Sequence, residues 1–276
     1  MSPDPITPTS HRLRPPIRPQ PGVSAPPWPS YTGTAQEVGT SSRGVSVYVD
    51  PSLGASALKN AQDLLAAADG VVQDNNTIFG ITGGPLDVIV FALNGKTDGT
   101  GGADHGGCDF TTGNALEVDA SYNRSNRVVA LFEAELSECA MGGNLCGVST
   151  GEALSRWCAA VVGSNALADY ATAPIWFQDG MANWVDQTEQ TDQDPDSTGC
   201  GMAFLSWLLR QPHTLAEVAQ TMVSLGTTGT LAQLFSSLTG DAAGNAWTTF
   251  TAAVRALPGG VTSDNPFNAL PSAIAA

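Results

Sequence analysis

Residues 128–141 read VVALFEAELSECAM. At about 100° per residue, the apolar side chains of this segment form one stripe of an amphipathic helix. The stripe consists of Val128, Val129, Leu131, Phe132, Leu136 and Cys139. Glu135 falls inside it, Glu138 lies at its edge and Glu133 falls outside. A buried carboxylate is costly unless it is paired, protonated or bound to metal, so Glu135 is the strongest candidate site residue. An ion pair with Arg156 or Arg210 would explain Glu135 without catalysis.

Short strands are predicted before this helix and further helices after it. Alternating apolar residues predict a strand at 45–49, the run DVIVFAL predicts a buried strand at 87–93, and residues 116–118 predict a third. Helical spacing and its Gly, Pro, Ser and Asp punctuation predict helices over 55–72, 128–141, 151–168, 174–187, 200–210, 214–225, 230–238 and 244–257. This order predicts an α+β fold with a small N-terminal sheet and a large, mostly helical C-terminal part.

The first 30 residues hold ten of the eighteen prolines, a density that disfavours helix and sheet and favours extended chain. We therefore predict a disordered Pro-rich arm at 1–42, one domain at 43–260 and a C-terminal tail at 261–276. The arm carries Arg12, Arg14, Arg18 and an exposed Trp28 among prolines. These residues predict that the arm binds a protein partner or a second copy of the chain, the alternative being a solvated tail.

The formal net charge of −15 excludes several partners. An acidic surface repels nucleic acid and anionic lipid, so neither is expected as a partner. No run reaches the roughly 18 apolar residues that span a membrane, and no apolar leader is visible. We therefore expect a soluble protein that is cytoplasmic or exported by a non-standard route. Five cysteines leave at least one unpaired, and a loop-closing Cys139–Cys146 bridge is one option in an oxidising compartment.

Two later segments carry a family resemblance. Residues 175–187 read IWFQDGMANWVDQ, and residues 199–209 read GCGMAFLSWLL. Together with 128–141, they resemble basic-secretory-protein-type and related gluzincin metallopeptidases, whose upstream helix carries HExxH. The resemblance implies a zincin-like fold over about residues 45–257. The chain also resembles an uncharacterised bacterial group with GE-LSR and STGC segments, here 151–156 and 197–200, where Glu152 and Arg156 would form a surface ion pair.

Position by position, the sequence AELSE at 134–138 occupies the HExxH slot. Glu135 matches the general base, Glu138 replaces the second histidine and Asp179 matches the acidic third ligand. Ala134 replaces the first histidine and cannot bind metal. The resemblance therefore implies a catalytically degenerate zincin-like domain, a pseudoenzyme that binds or supports a partner through its arm, with no cofactor expected.

Three metal sites remain as alternatives. Glu135 as general base with Glu138 and Asp179 as ligands would make an active metal-dependent hydrolase, with carboxylates suited to a hard cation. The alternating carboxylates Asp192, Asp194 and Asp196 resemble part of a Ca²⁺ loop and would make a Ca²⁺-dependent interaction module. Finally, the two-residue gap in His105-Gly-Gly-Cys108 is typical of a zinc half-site that Cys139 and Cys146 would complete.

Overall fold

The computed structural model describes residues 26–269. Its core element is a five-stranded mixed sheet in the order β1-β2-β3-β5-β4. The strands are β1 (Gln36–Thr40), β2 (Val45–Val49), β3 (Leu86–Phe91), β4 (Ala103–His105) and β5 (Ala115–Asp119). The three central strands are parallel to one another, and both edge strands run antiparallel to their neighbours. The predicted strands at 45–49, 87–93 and 116–118 are confirmed as β2, β3 and β5.

Eight α-helices make up about half of the remaining described chain. They are α1 (Gly54–Phe79), α2 (Ser125–Ala140), α3 (Ser149–Val162), α4 (Ala173–Gln178), α5 (Pro195–Leu209), α6 (Leu215–Leu225), α7 (Leu231–Thr239) and α8 (Ala246–Arg255). The α+β class is therefore confirmed. The prediction of one helix over 174–187 is wrong, because α4 ends at Gln178 and a loop follows. None of the helices in the described range is both long and apolar enough to cross a membrane.

Helix α2 lies between the two halves of the molecule. Val128, Phe132 and Leu136 pack into a core that the sheet and α1 share. Its other side faces α3, where Ala130 and Ala134 meet Ala159. Because both sides of α2 are covered, Glu133 is fully buried although its position on the helical wheel predicted solvent. A second core, formed by α3 to α8, completes the helical part.

Residues 26–42 belong to the folded domain, although the predicted arm extends to residue 42. Strand β1 lies at Gln36–Thr40, and the segment before it crosses the outer face of the sheet. There the backbone N–H groups of Ser30 and Tyr31 donate to Glu117, at 2.8 and 2.6 Å. The ring of Tyr31 packs edge-on against Phe91. The domain therefore begins earlier than residue 43, because this segment covers apolar side chains of the sheet.

Residues 261–269 also belong to the folded body. Val261 and Ala269 are buried. One carboxylate oxygen of Asp264 accepts hydrogen bonds from the backbone N–H groups of Thr172 and Ala173, where α4 begins. The predicted tail at 261–276 is thus wrong for residues 261–269, because this segment packs against the helices.

The disulfide pairing differs from the predicted option. Cys108 is bonded to Cys146, whereas Cys139, Cys158 and Cys200 are buried free thiols. The Cys139 thiol donates to the carbonyl of Gly113 instead. The proposed zinc half-site at His105 and Cys108 is therefore wrong as drawn, because the sulfur of Cys108 is part of the disulfide.

Candidate metal centre

One histidine of the edge strand β4 and two glutamates of α2 have their side chains close together. The Nε2 atom of His105 lies 2.8 Å from Oε2 of Glu138 and 3.7 Å from Oε2 of Glu135. One ligand atom from each of the three residues lies within 4.8 Å of the others. The side chains of His105 and Glu135 are nearly inaccessible, and that of Glu138 is 15% exposed. The set has the composition and spacing of a metal centre with one nitrogen and two oxygen ligands.

The two glutamates reach the centre because of their spacing on α2. Residues three apart in a helix lie on neighbouring parts of one face, so Glu135 and Glu138 project to the same side. Ala134, which precedes them, lines the same cleft but supplies no ligand atom. The centre therefore contains the two carboxylates of the AELSE segment and takes its imidazole from elsewhere.

Strand β4 supplies that imidazole. It is three residues long and pairs with β5, placing His105 opposite Leu116. The Nδ1 atom of His105 contacts the carbonyl oxygen of Gly107, an acceptor that fixes the hydrogen on Nδ1. The Nε2 atom is consequently the one that faces the carboxylates. A metal-binding histidine is usually oriented in this way, by a hydrogen bond from its other ring nitrogen.

Charge at the centre acts strongly on the imidazole. Burial alone would lower the pKa of His105, but the hydrogen bond to Glu138 and the negative charge of Glu135 outweigh it and raise the pKa to about 10. Without an ion, a proton on Nε2 therefore balances part of the carboxylate charge. A divalent cation between the same atoms would replace that proton, because a ligating imidazole must be neutral.

The centre opens into a cleft between α2, α3 and the chain segments at 165–170 and 263–269. Glu135 and Glu138 of α2 line this cleft, together with apolar side chains such as Leu131 of α2 and Val161 of α3. Helix α3 also lines the cleft with an ion pair, in which Nε of Arg156 donates to Glu152 at 2.6 Å. The prediction that this pair lies on the surface is wrong, because α3 turns it into the cleft, where the side chain of Glu152 is only 4% exposed.

The other predicted ligands lie away from this cleft. Asp179 follows the last residue of α4 and is exposed. Burial raises the pKa of Asp196, and the charge of Asp179 raises it further. Asp194 caps the first turn of α5 by accepting the N–H of Asp196, and Asp192 lies in the preceding loop. Within residues 26–269, neither Asp179 nor these three carboxylates belong to a set of three close ligand atoms.

Of the predicted partner-binding residues in the arm, the structure describes Trp28 alone. Arg12, Arg14 and Arg18 lie outside the described residues. Trp28 packs edge-on against Tyr48, with ring centroids 5.3 Å apart, and it covers part of the sheet. The prediction of an exposed Trp28 is therefore wrong, because the aromatic ring has a partner within the same chain.

Comparisons with protein-family models, with curated proteins and with solved structures found no match. The gluzincin resemblance therefore stays a prediction. Sequence reasoning identified Glu135 and Glu138, and it singled out His105, but it assigned that histidine to a cysteine site. His105 and Glu138 are 33 residues apart in sequence, so no local pattern predicts their contact. The contact depends on the position of an edge strand beside a helix.

Proposed function

We propose that this protein binds one divalent metal ion through His105, Glu135 and Glu138, and that it is a metal-dependent hydrolase with a zincin-like site. The observation that carries the proposal is the orientation of His105. Its Nδ1 faces a backbone carbonyl, and its Nε2 faces two carboxylates at the wall of an open cleft. The proposal keeps the two glutamates of the degenerate motif and replaces the missing imidazoles with one from β4.

The ligand atoms fit a transition metal. In a tetrahedral site with bonds of about 2.0 Å, two ligand atoms lie roughly 3.3 Å apart. The distances from Nε2 of His105 to the carboxylates, 2.8 and 3.7 Å, lie on either side of that value. One imidazole among two carboxylates suits Zn²⁺, Mn²⁺ or Fe²⁺ better than Ca²⁺, which takes oxygen ligands only. Three protein ligands leave a position for water or substrate, as in catalytic zinc sites.

Each residue has a role in this proposal. When bound, the ion would supply Lewis-acid activation of a water molecule and of a substrate carbonyl or phosphoryl oxygen. His105, Glu135 and Glu138 would hold the ion. Glu135 has two carboxylate oxygens, so one would bind the ion and the other would accept a proton from water. The apolar wall beside it excludes bulk water from the substrate.

A second candidate is the pseudoenzyme that the sequence resemblance implied, a partner-binding or structural component. One observation favours it. The contact of 2.8 Å between His105 and Glu138 is already a good hydrogen bond, so a protonated His105 completes the cluster without an ion. The two candidates predict opposite outcomes when metal is added.

Metal titration separates the candidates. Chelator-treated protein should bind Zn²⁺, Mn²⁺ or Co²⁺ at one ion per chain in calorimetry, and His105→Ala should weaken binding at least 100-fold. His213→Ala is the matched control, because His213 lies in the loop between α5 and α6, away from the cleft. Absence of stoichiometric binding to the wild type would overturn the metal centre and favour the pseudoenzyme.

Hydrolysis needs a separate assay. The reconstituted protein should cleave members of a mixed library of peptides and esters, and Glu135→Gln should reduce the rate at least 100-fold while the fold is retained. If the protein binds metal but cleaves nothing in the library, the hydrolase part of the proposal fails and the metal centre stands alone.

A further inference from the structure

The three proposed ligands are held with unequal firmness. Glu135 and Glu138 belong to a sixteen-residue helix that is packed on both sides. His105 is the last residue of a three-residue strand at the edge of the sheet, paired with β5 alone. Short edge elements with few backbone hydrogen bonds open more easily than buried helices. The imidazole is therefore the ligand whose position needs additional support.

Two glycines separate His105 from its nearest covalent anchor. Gly106 and Gly107 follow it, and the carbonyl of Gly107 is the acceptor that orients the imidazole. A Cβ atom at Gly107 would lie 2.6 Å from the backbone carbon of Thr112, so the close turn requires glycine here. Glycine also permits many other backbone conformations. The position of the carbonyl therefore depends on two neighbours of Gly107: Thr112, which approaches it closely, and Cys108, which follows it in the chain.

The disulfide joins Cys108 to the chain segment that follows α2, the helix that carries both carboxylates. Cys146 lies in the connection between α2 and α3, with the two Cα atoms 5.7 Å apart. That connection is itself fixed, because Met141 and Leu145 are buried in the helical core. The disulfide thus ties the segment that carries the imidazole to the end of the helix that carries both carboxylates.

We infer that the Cys108–Cys146 disulfide positions His105 over Glu135 and Glu138, so that the thiol–disulfide state of this pair sets the metal affinity of the centre. The inference rests on the proposed metal centre and assigns its regulation. Both cysteines are partly exposed, so a reductant in solution can reach them. A dithiol reductant would transfer two electrons and two protons to the bridge, giving two protein thiols and a reductant disulfide.

Variants without the bridge test the inference. The double variant Cys108→Ser, Cys146→Ser removes the disulfide without adding thiol ligands near the centre. We expect its Zn²⁺ and Co²⁺ affinities to fall 10- to 100-fold, the range typical when a group that orients a metal ligand is lost. We also expect a change in the visible absorption of bound Co²⁺. Cys200→Ala is the matched control, because it removes a buried cysteine in α5 and should leave the affinity unchanged.

A second measurement covers the case in which the double variant fails to fold. In folded wild-type protein without metal, reduction by a phosphine should move the NMR signals of the His105 ring, because the contact with Glu138 loosens. The His213 ring signals should stay in place. Equal metal affinity and unmoved His105 signals after loss of the bridge would overturn the inference. If the oxidised wild type binds no metal, the metal centre fails, and the His105 signals still decide whether the disulfide positions the ring.

Discussion

The two sides of helix α2 bury carboxylates in different ways. On the cleft side, Glu135 and Glu138 face the imidazole of His105. Two residues before Glu135, Glu133 is fully buried, and Nδ2 of Asn75 on α1 donates to its Oε1 at 3.2 Å. Burial raises the pKa of Glu133 well above its usual value, which the Asn75 hydrogen bond only partly offsets. The carboxylates are thus buried on both sides of α2, but only Glu135 and Glu138 have a basic partner, His105, and line an open cleft.

The state of Glu133 follows from its partner. Within the described chain, Oε2 of Glu133 and Oδ1 of Asn75 are both buried without a hydrogen-bond partner. A protonated Glu133 would donate from Oε2 to Oδ1 of Asn75 and satisfy both atoms. Glu133 is therefore a neutral part of the core, whereas Glu135 and Glu138 on the other side face the imidazole of His105.

The largest effect is expected on the core side. Glu133→Ala should lower the free energy of unfolding by about 4 kcal/mol, because it leaves a cavity and an unpaired, buried Asn75. Urea denaturation of metal-free protein measures the change. Glu133→Gln is the matched control and should cost less than about 1 kcal/mol, since a neutral amide can replace a neutral acid. A large loss of unfolding free energy in the Gln variant would show that Glu133 is ionised and would contradict its assignment as a neutral acid.

Asp119 is a second buried carboxylate whose pKa is raised by burial, like that of Glu133. Burial raises the pKa of Asp119 to about 7, although it accepts the N–H of Gly101. The folded state then binds more protons than the unfolded state between about pH 4 and pH 7. The free energy of unfolding should therefore fall as pH rises through this window.

Asp119→Asn removes this titration. Between pH 4 and pH 8, the wild type should lose roughly 2 kcal/mol more stability than the variant does, as measured by denaturation at each pH. Asp241→Asn serves as the control for removal of one charge, because Asp241 is exposed in the loop after α7. Parallel pH profiles for the wild type and the Asp119 variant would contradict the assignment.

The smallest effect concerns a carboxylate that hydrogen-bond donors satisfy. Glu117 on the outer face of the sheet accepts two backbone N–H groups and the hydroxyl of Ser30, the latter at 2.5 Å. Ser30→Ala should lower the free energy of unfolding by about 1 kcal/mol, because one donor to a buried acceptor is lost. Ser42→Ala removes a similar bond to the exposed Asp69 and should have almost no effect. Equal losses of unfolding free energy in the two variants would contradict the expectation that a lost donor costs more at a buried carboxylate than at an exposed one.

Much of the secondary structure could be predicted from local pattern. The alternation of Val45, Val47 and Val49 gave a strand, and all three side chains are buried in the core. The spacing of apolar residues in 128–141 gave helix α2, and it singled out Glu135. The helical wheel placed Glu133 toward solvent, but other elements cover both sides of α2 at this position. The predicted arm extends too far along the chain. The prolines at 26–29 favour disorder, but Trp28 among them packs on the sheet.

The sequence by itself determined the α+β class, helix α2 and the two carboxylates three residues apart, because each of these depends on short-range spacing. Tertiary structure alone decided which side chains meet those carboxylates. It placed the edge strand β4 beside α2, paired Cys108 with Cys146, and turned Arg156 into the cleft, while it left Asp179 exposed. Contacts between residues so far apart in sequence depend on how strands and helices pack, and no local pattern encodes that arrangement.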